Sequence, residues 1–380
     1  MKPLTARGYW LRILACLIGV AGLLVASPGI GTDARTYRWR DVWRAALNMP
    51  LTPEHLAHLS AADADADGDG VITQSDADSY RRTAVLVGFE LRLPRSLLAL
   101  VVGITLALCG ATFQVLFRNP LATPYTLGVV SGGALGAFLA MRLGWQVAIL
   151  GVFSTLAVAA FGGGVAVVAV VFFIARGARR LTSNEILLAG VTIGLFCSAM
   201  NMVLMYLSNE RETFQMVQWM MGSLDTISNL KTATMLPLVV PAWIVLIACG
   251  RGLNQYRLGD ELAASRGVNL RRLESGCVLV STLATGAVVA HCGPIGFVGL
   301  VVPHIVVLLF GSDCRIVLPA SALMGGAFLI LCDWLSQVAM RMTGWASGRE
   351  LGSITLPIGV VTAVVGVPVF LVLLRTRRAA

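Results

Sequence analysis

Residues 93–117 read LPRSLLALVVGITLALCGATFQVLF, an apolar run with a single charge, Arg95. A bilayer's hydrocarbon core is ~30 Å thick, and about 20 helical residues cross it. A helix of this composition has no polar face to offer water, so its natural surroundings are lipid or other apolar helices. The run is read as a membrane span.

Nine further runs resemble it, at 10–27, 127–143, 147–175, 185–207, 236–249, 277–292, 297–310, 316–338 and 356–374. The expectation is an all-α integral membrane protein of about ten transmembrane helices. Composition agrees. Hydrophobic residues make up 57% and charged residues 13%, against about 25% charged in a soluble domain. Mean hydropathy is +0.79.

The net charge of +9 sits in short clusters beside the apolar runs. They are Lys2, Arg7 and Arg12; Arg176, Arg179 and Arg180; Arg251, Arg257, Arg266, Arg271 and Arg272; and Arg375, Arg377 and Arg378. With ten spans all four clusters fall on one side, which the positive-inside bias makes the cytoplasm. Arg81, Arg82, Arg92 and Arg95 fall on the other. This placement accounts for the basic balance without a nucleic-acid partner, and none is expected. The chain is read as a multi-pass protein of the bacterial inner membrane. The first run also has the basic start and small-residue end of a signal peptide, whose removal would leave nine spans.

The chain divides into a first helix at 1–27, a polar external insert at 28–83 and a transmembrane core at 84–380. A cytoplasmic loop at 251–275 belongs to the core. Eight cysteines are present, with no CxxC pair, and read as small packing residues. No GxxxxGK[ST] stretch occurs, so no nucleotide is expected on this chain. No HExxH or Ser-His-Asp arrangement stands out either, and no catalysis is expected. Asp333, in the ninth span, is a carboxylate inside an apolar run. Such a group is either functional or bonded to a neighbouring helix.

The insert carries Asp65-Ala66-Asp67-Gly68-Asp69-Gly70-Val71-Ile72-Thr73-Gln74-Ser75-Asp76, the spacing of an EF-hand calcium loop. Calcium takes six to eight oxygens. Asp65, Asp67 and Asp69 supply positions 1, 3 and 5, and Gly70 allows the sharp turn at 6. The Val71 carbonyl, Thr73 and Asp76 follow at 7, 9 and 12. Asp76 stands where Glu is usual. Residues 53–59 and 75–82 are the candidate entering and leaving helices. Bound Ca2+ is expected, holding the insert together.

A second set of stretches runs along the core. It begins with Leu91-Arg92-Leu93-Pro94-Arg95, Gly103, Gly110, Gln114 and Arg118-Asn119-Pro120-Leu121-Ala122. Trp219-Met220-Met221-Gly222-Ser223-Leu224 and Leu258-Gly259-Asp260-Glu261-Leu262-Ala263 follow. Then come 293–304, from Gly293-Pro294-Ile295-Gly296-Phe297 to Pro303-His304, and 356–363, starting Leu356-Pro357-Ile358-Gly359. In order and number these resemble the FecCD-type permeases of ABC importers, which carry ferric siderophores, haem or vitamin B12.

The resemblance implies a permease subunit of a homodimer, with separate ATPase subunits on the cytoplasmic side and a periplasmic substrate-binding protein outside. Transport would follow ATP-driven alternating access, with an iron–siderophore as the first expectation for cargo and haem or cobalamin behind it. Gly259, Asp260, Glu261, Arg266 and Gly267 would form the ATPase coupling contact. Arg92 and Arg95 would face acidic groups of the binding protein. Met200, Asn201, Met202 and Met205 would line the translocation path. Arg266-Gly267, Thr355 and the insert depart from the family pattern. Two alternatives stand beside this reading: an ion-gradient-driven secondary transporter, for which Asp333 alone is a thin basis, and a calcium-sensing membrane protein built on the insert.

Overall fold

The computed structural model describes residues 6–30, 39–49, 56, 71–145, 148–149, 153–177, 183–225, 229–347 and 355–378. Apart from a two-residue ladder pairing Ala148–Ile149 with Phe153–Ser154, its regular elements are helical. Among the described residues, seven helices are long and apolar enough to cross a membrane, and three shorter apolar helices accompany them.

In chain order the helices are α1 (Ala6–Ala26), α2 (Trp39–Ala46), α3 (Gln74–Val85), α4 (Leu93–Leu116), α5 (Val129–Arg142), α6 (Thr155–Gly177), α7 (Ser183–Tyr206) and α8 (Glu210–Met220). They continue with α9 (Leu230–Ala248), α10 (Gly250–Arg257), α11 (Asp260–Ser265), α12 (Leu270–Cys292), α13 (Val298–Phe310), α14 (Cys314–Ser347) and α15 (Ile358–Arg378).

The run that decided the fold is the centre of it. α4 packs against α9, α12, α13 and α14 and is buried nearly all round, whereas α1 and α7 bury a minor part of their surface. Close approach around α4 depends on missing side chains. A Cβ on Gly110 would overlap the Gly299 carbonyl of α13, and one on Gly103 would overlap the Gly325 carbonyl of α14. Small residues at crossings are how membrane helices gain packing contact where lipid offers no hydrophobic drive. Polar ties supplement it: the Trp243 indole of α9 donates to Thr105 Oγ1 of α4 at 3.0 Å.

Several boundaries differ from the sequence reading. α9 begins at Leu230 rather than 236, because its first turns hold Lys231, Thr232 and Thr234 and hide the span from a hydropathy window. It runs helical through Pro237 and Pro241. α12 begins at Leu270, so the end of the expected 251–275 loop, with Arg271 and Arg272, is already helix, capped by the Asn269 side chain accepting from Arg272 N–H at 3.0 Å. The boundary drawn at 83 falls within α3. α3 passes through a π-helical stretch, Leu86–Arg92, directly into α4, giving one helix from Gln74 to Leu116.

The described part of the insert has its own small core of Val42, Ala45, Leu56, Ala77, Tyr80 and Ala84. It is fastened to the end of α1, where the Trp43 indole donates to the Val25 carbonyl at 3.1 Å.

Candidate functional site

Three of the stretches singled out in the sequence meet at the insert end of the bundle. Ser223 N–H donates to the Cys292 carbonyl at 2.8 Å, and Gly359 N–H to the Met221 carbonyl at 3.1 Å. The 219–224 stretch is thereby stitched both to the end of α12 and to the start of α15. Gly222 and Gly293 hold positive φ, 70° and 68°, and a Cβ on Gly222 would strike the Pro294 carbonyl. The Tyr125 hydroxyl closes the junction by donating to the Ile295 carbonyl at 2.9 Å while accepting from Ile295 N–H at 3.1 Å.

Beside this junction lies a polar clamp. Arg95, one turn into α4, donates from Nε to Asp333 Oδ1 at 2.7 Å and from Nη1 to Asp225 Oδ1 at 2.9 Å. Asp333 is fully buried on α14 and also accepts from the Gln337 amide at 2.8 Å. Asp225 is held by Ser223 Oγ at 2.6 Å, and its carbonyl accepts from Lys231 Nζ at 2.5 Å. A buried charge demands a partner, and here one guanidinium serves two carboxylates from two other segments.

The expected docking pair thus separates. Arg92 is buried and donates from Nη1 to the Pro28 carbonyl at 3.0 Å. It fastens the chain after α1 to the π-helical stretch and is not presented at a surface of this chain. Arg95 is mostly buried in the clamp, and the exposed member there is Asp225. Asp225 and Gln337 were not singled out in the sequence. A carboxylate two residues past Gly222-Ser223 was the available signal.

At the opposite end, the candidate coupling residues lie on α11 and at its two ends, directly after α10. Leu258 and Leu262 are exposed. Together with Arg118, Gly259, Asp260, Glu261 and Ser265 they line an open cleft of ≈ 630 Å³. Arg118 was quoted in the sequence only as part of a motif. It stacks its guanidinium 4.8 Å from the Tyr256 ring centroid, donates to the Tyr256 carbonyl at 2.9 Å and pairs with Asp260.

Arg266 and Gly267 terminate α11. Gly267 N–H bonds to the Ala264 carbonyl at 3.0 Å and Val268 N–H to the Ala263 carbonyl at 3.1 Å, the paired bonds of a Schellman end. Gly267 takes φ 81° there, which explains a glycine at this position. α10 is fixed to the α13–α14 corner by Asn254. Its amide donates to Asp313 at 2.6 Å and its oxygen accepts from Cys314 N–H at 2.7 Å. Hydrogen bonding from Arg315 holds the Asp313 carboxyl down at about 2, against its burial.

The candidate path residues lie on α7. Asn201 is buried, and its amide donates to the Ser131 carbonyl of α5 at 3.1 Å. Met205 packs into the cluster of Phe138, Met216 and Trp219, and Met200 is half-buried. Met202, the fourth candidate, is exposed on the open face of α7 together with Leu188, Leu195 and Tyr206.

Of the calcium loop, Asp65, Asp67 and Asp69 lie outside the described residues, as do residues 53–59 of the expected entering helix except Leu56. The leaving helix is present as α3. Its start is a capping box in which Asp76 accepts from Thr73 N–H at 2.7 Å and from Thr73 Oγ1 at 2.9 Å. Positions 9 and 12 of the loop are therefore drawn together, with the Asp76 carboxylate buried.

A bundle of apolar helices with a polar clamp at one end and short helices at the other defines a multi-pass membrane protein of permease type. Residues 55–376 match the FecCD transport family, and the chain belongs to that family. It is 38% identical over 76% of its length to an uncharacterised ABC transporter permease, YvrB, of Bacillus subtilis, 79% of which is covered. It is 36% identical over 90% of its length to the vitamin B12 import system permease BtuC of Salmonella paratyphi A, with 98% of that chain covered. A cobalamin import permease of Halobacterium salinarum is 37% identical over 78% of this chain and 75% of its own. Among solved structures, a metal-chelate type ABC transporter in an inward-facing conformation aligns over 97% of this chain and 99% of its own, with TM-score 0.72 and 26% identity.

Proposed function

We propose that the chain is the transmembrane subunit of an ABC importer that carries a bulky metal chelate, and that a corrinoid of the cobalamin type is its cargo. The observation that carries this reading is co-linearity. The family match spans residues 55–376, so clamp and coupling segment both fall within it, and the vitamin B12 permease aligns over nearly its whole length. A siderophore was the first expectation from the motifs. The relatives named for vitamin B12 and cobalamin favour the corrinoid.

In this reading ten helices cross the bacterial inner membrane, with the insert in the periplasm. The cleft at Leu258–Ser265 receives an ATPase subunit, with exposed Leu258 and Leu262 as apolar contacts and Gly267 fixing the end of α11. The clamp end receives a substrate-binding protein. The open face of α7 meets lipid or, across a two-fold axis, a second copy of the chain. The path runs along that face, with Met202 as an adaptable wall. ATP hydrolysis belongs to the partner subunit. An ion-driven carrier is disfavoured because Asp333, its one intramembrane candidate, is committed to Arg95.

The insert binds calcium in the periplasm. The support is the ligand spacing of 65–76 together with the Thr73–Asp76 geometry. Asp65, Asp67, Asp69, the Val71 carbonyl, Thr73 and Asp76 would hold the ion, which would supply a multivalent charge to offset their carboxylates.

The test is uptake by cells lacking the gene and by complemented cells, given labelled cyanocobalamin, ferric hydroxamate and haem separately. Cobalamin uptake alone should depend on the gene. Dependence of the siderophore instead would move the cargo, and dependence of none would remove the chelate reading.

A further inference from the structure

The corner between α13 and α14 gathers arginines from three helices. Arg12 of α1 lies over the Phe310 ring, its guanidinium carbon 5.6 Å from the centroid. Arg257, the last residue of α10, donates from Nη1 to the Ser312 carbonyl. Arg315, in the first turn of α14, grips Asp313 from Nε at 3.1 Å and from Nη2 at 2.7 Å. Residues 310–313 span at most about 11 Å of chain, so all three guanidinium groups are attached to one short turn. α1 and α10 both pack against α14, which keeps them there.

The charges at this turn do not balance. Asp313 is the one carboxylate among the described residues that bonds there, and it offsets Arg315. Arg257 is spent on a carbonyl and Arg12 on a ring, and neither partner cancels a charge. Two positive charges are left over, and Arg257 and Arg315 are exposed. Beside the turn the surface is apolar and open. Leu308 and Leu309 in the last turn of α13, and Leu11 and Leu14 of α1, are all exposed. The positive-inside bias puts this end at the cytoplasmic headgroup layer. Surplus guanidinium charge next to exposed leucines fits a phosphate with acyl chains attached, and the arginine fork suits phosphate oxygens. A free phosphate would leave the leucines unused.

We propose that this corner binds the headgroup phosphate of an anionic phospholipid from the cytoplasmic leaflet. The site requires only that the chain spans a membrane with this end in the cytoplasm. Its consequence rests on the permease reading above. α10 leads into the coupling residues and is tied to the same turn twice, by Arg257 and by the Asn254 amide, which donates to Asp313 at 2.6 Å. A phosphate shared by the arginines steadies α10 against α14, and anionic lipid thereby raises coupled ATP hydrolysis.

The experiment uses the full chain with its ATPase subunit, in nanodiscs of phosphatidylcholine with or without phosphatidylglycerol. Native mass spectrometry of the released complex should find phosphatidylglycerol retained in preference to phosphatidylcholine. Arg12→Gln and Arg257→Gln should each lower that retention several-fold, and Arg12→Lys should keep most of it. Arg211→Gln, at an exposed position on α8, should leave it unchanged. Hydrolysis by the unaltered complex should rise several-fold with phosphatidylglycerol. Arg12→Gln should lose that rise and keep the rate seen in phosphatidylcholine. Equal retention by the unaltered chain, Arg12→Gln and Arg257→Gln overturns the site, whatever the ATPase result. Displacement of the lipid by inorganic phosphate alone overturns the lipid as its occupant. Retained lipid with equal hydrolysis in both nanodiscs overturns the consequence.

Discussion

Arg95 and Asp333 stand 238 residues apart in the chain and 2.7 Å apart in space. The contact joins the start of α4 to the later part of α14, and Asp225 on the same guanidinium brings in the segment after α8. Both halves of the core are thereby pinned at the end that carries the insert. Asp333 is fully buried, whereas Asp225 is largely exposed, and this difference orders the expected costs.

Removing Arg95 strands a buried carboxylate. Arg95→Leu is expected to destabilise the folded protein by about 3–5 kcal/mol, the usual cost of breaking a buried pair from one side. Asp225→Asn should change stability little, because exposed ion pairs contribute about 0–1 kcal/mol before screening. Thermal unfolding in detergent compares the two. Equal losses would mean that the clamp is not organised around Asp333.

The glycines of α4 and α6 predict opposite tolerances. Gly110→Ala forces its Cβ into the Gly299 carbonyl and should cost about 1–3 kcal/mol or more as the helices part. At Gly162 a Cβ meets nothing within 4 Å, so Gly162→Ala should be neutral or slightly stabilising through helix propensity. Yield of monodisperse protein and its melting temperature report both.

Arg118 and Asp260 separate stability from coupling. Both side chains are about half exposed, so Asp260→Asn should shift stability by no more than about 0.5 kcal/mol. Stimulation of the ATPase by the membrane subunit should nevertheless fall several-fold, because the pair shapes the cleft floor. A melting curve and an ATPase assay on one preparation check this. A markedly lowered melting temperature with intact stimulation would place the pair in the scaffold.

Calcium binding is separable from helix capping within the insert. Asp67→Ala should abolish Ca2+ binding measured by calorimetry and leave the α3 cap intact. Asp76→Ala should abolish binding and also remove the capping box with Thr73, at about 1 kcal/mol. The affinity of the native loop is expected near the extracellular range, about 10⁻⁴–10⁻³ M. Calcium-independent melting of the unaltered protein would contradict the site.

The spans were legible where length and apolarity coincide, as in α4, α7 and α14, because lipid imposes one solution on such runs. They were misjudged where polar residues enter a helix that is covered on that side, as at Lys231 and Thr234 in α9. The continuity of α3 with α4 was hidden because Glu90 and Arg92 break the apolar pattern that a window follows, yet Arg92 is satisfied by the Pro28 carbonyl. The junction of 219–224, 293–297 and 356–360 was visible as three separate motifs. That they touch is a tertiary fact that spacing does not carry. The same holds for Asn201, placed on the path by the family resemblance, whose amide bonds the Ser131 carbonyl of a neighbouring helix.

The central claim is ATP-driven transport of a corrinoid through this chain. The most direct measurement is accumulation of labelled cyanocobalamin in proteoliposomes holding the permease, its ATPase and its binding protein. ATP-dependent accumulation that is lost with a hydrolysis-dead ATPase, and not competed by ferric hydroxamate, is the predicted result. Accumulation that follows an imposed proton or sodium gradient without ATP would contradict the account.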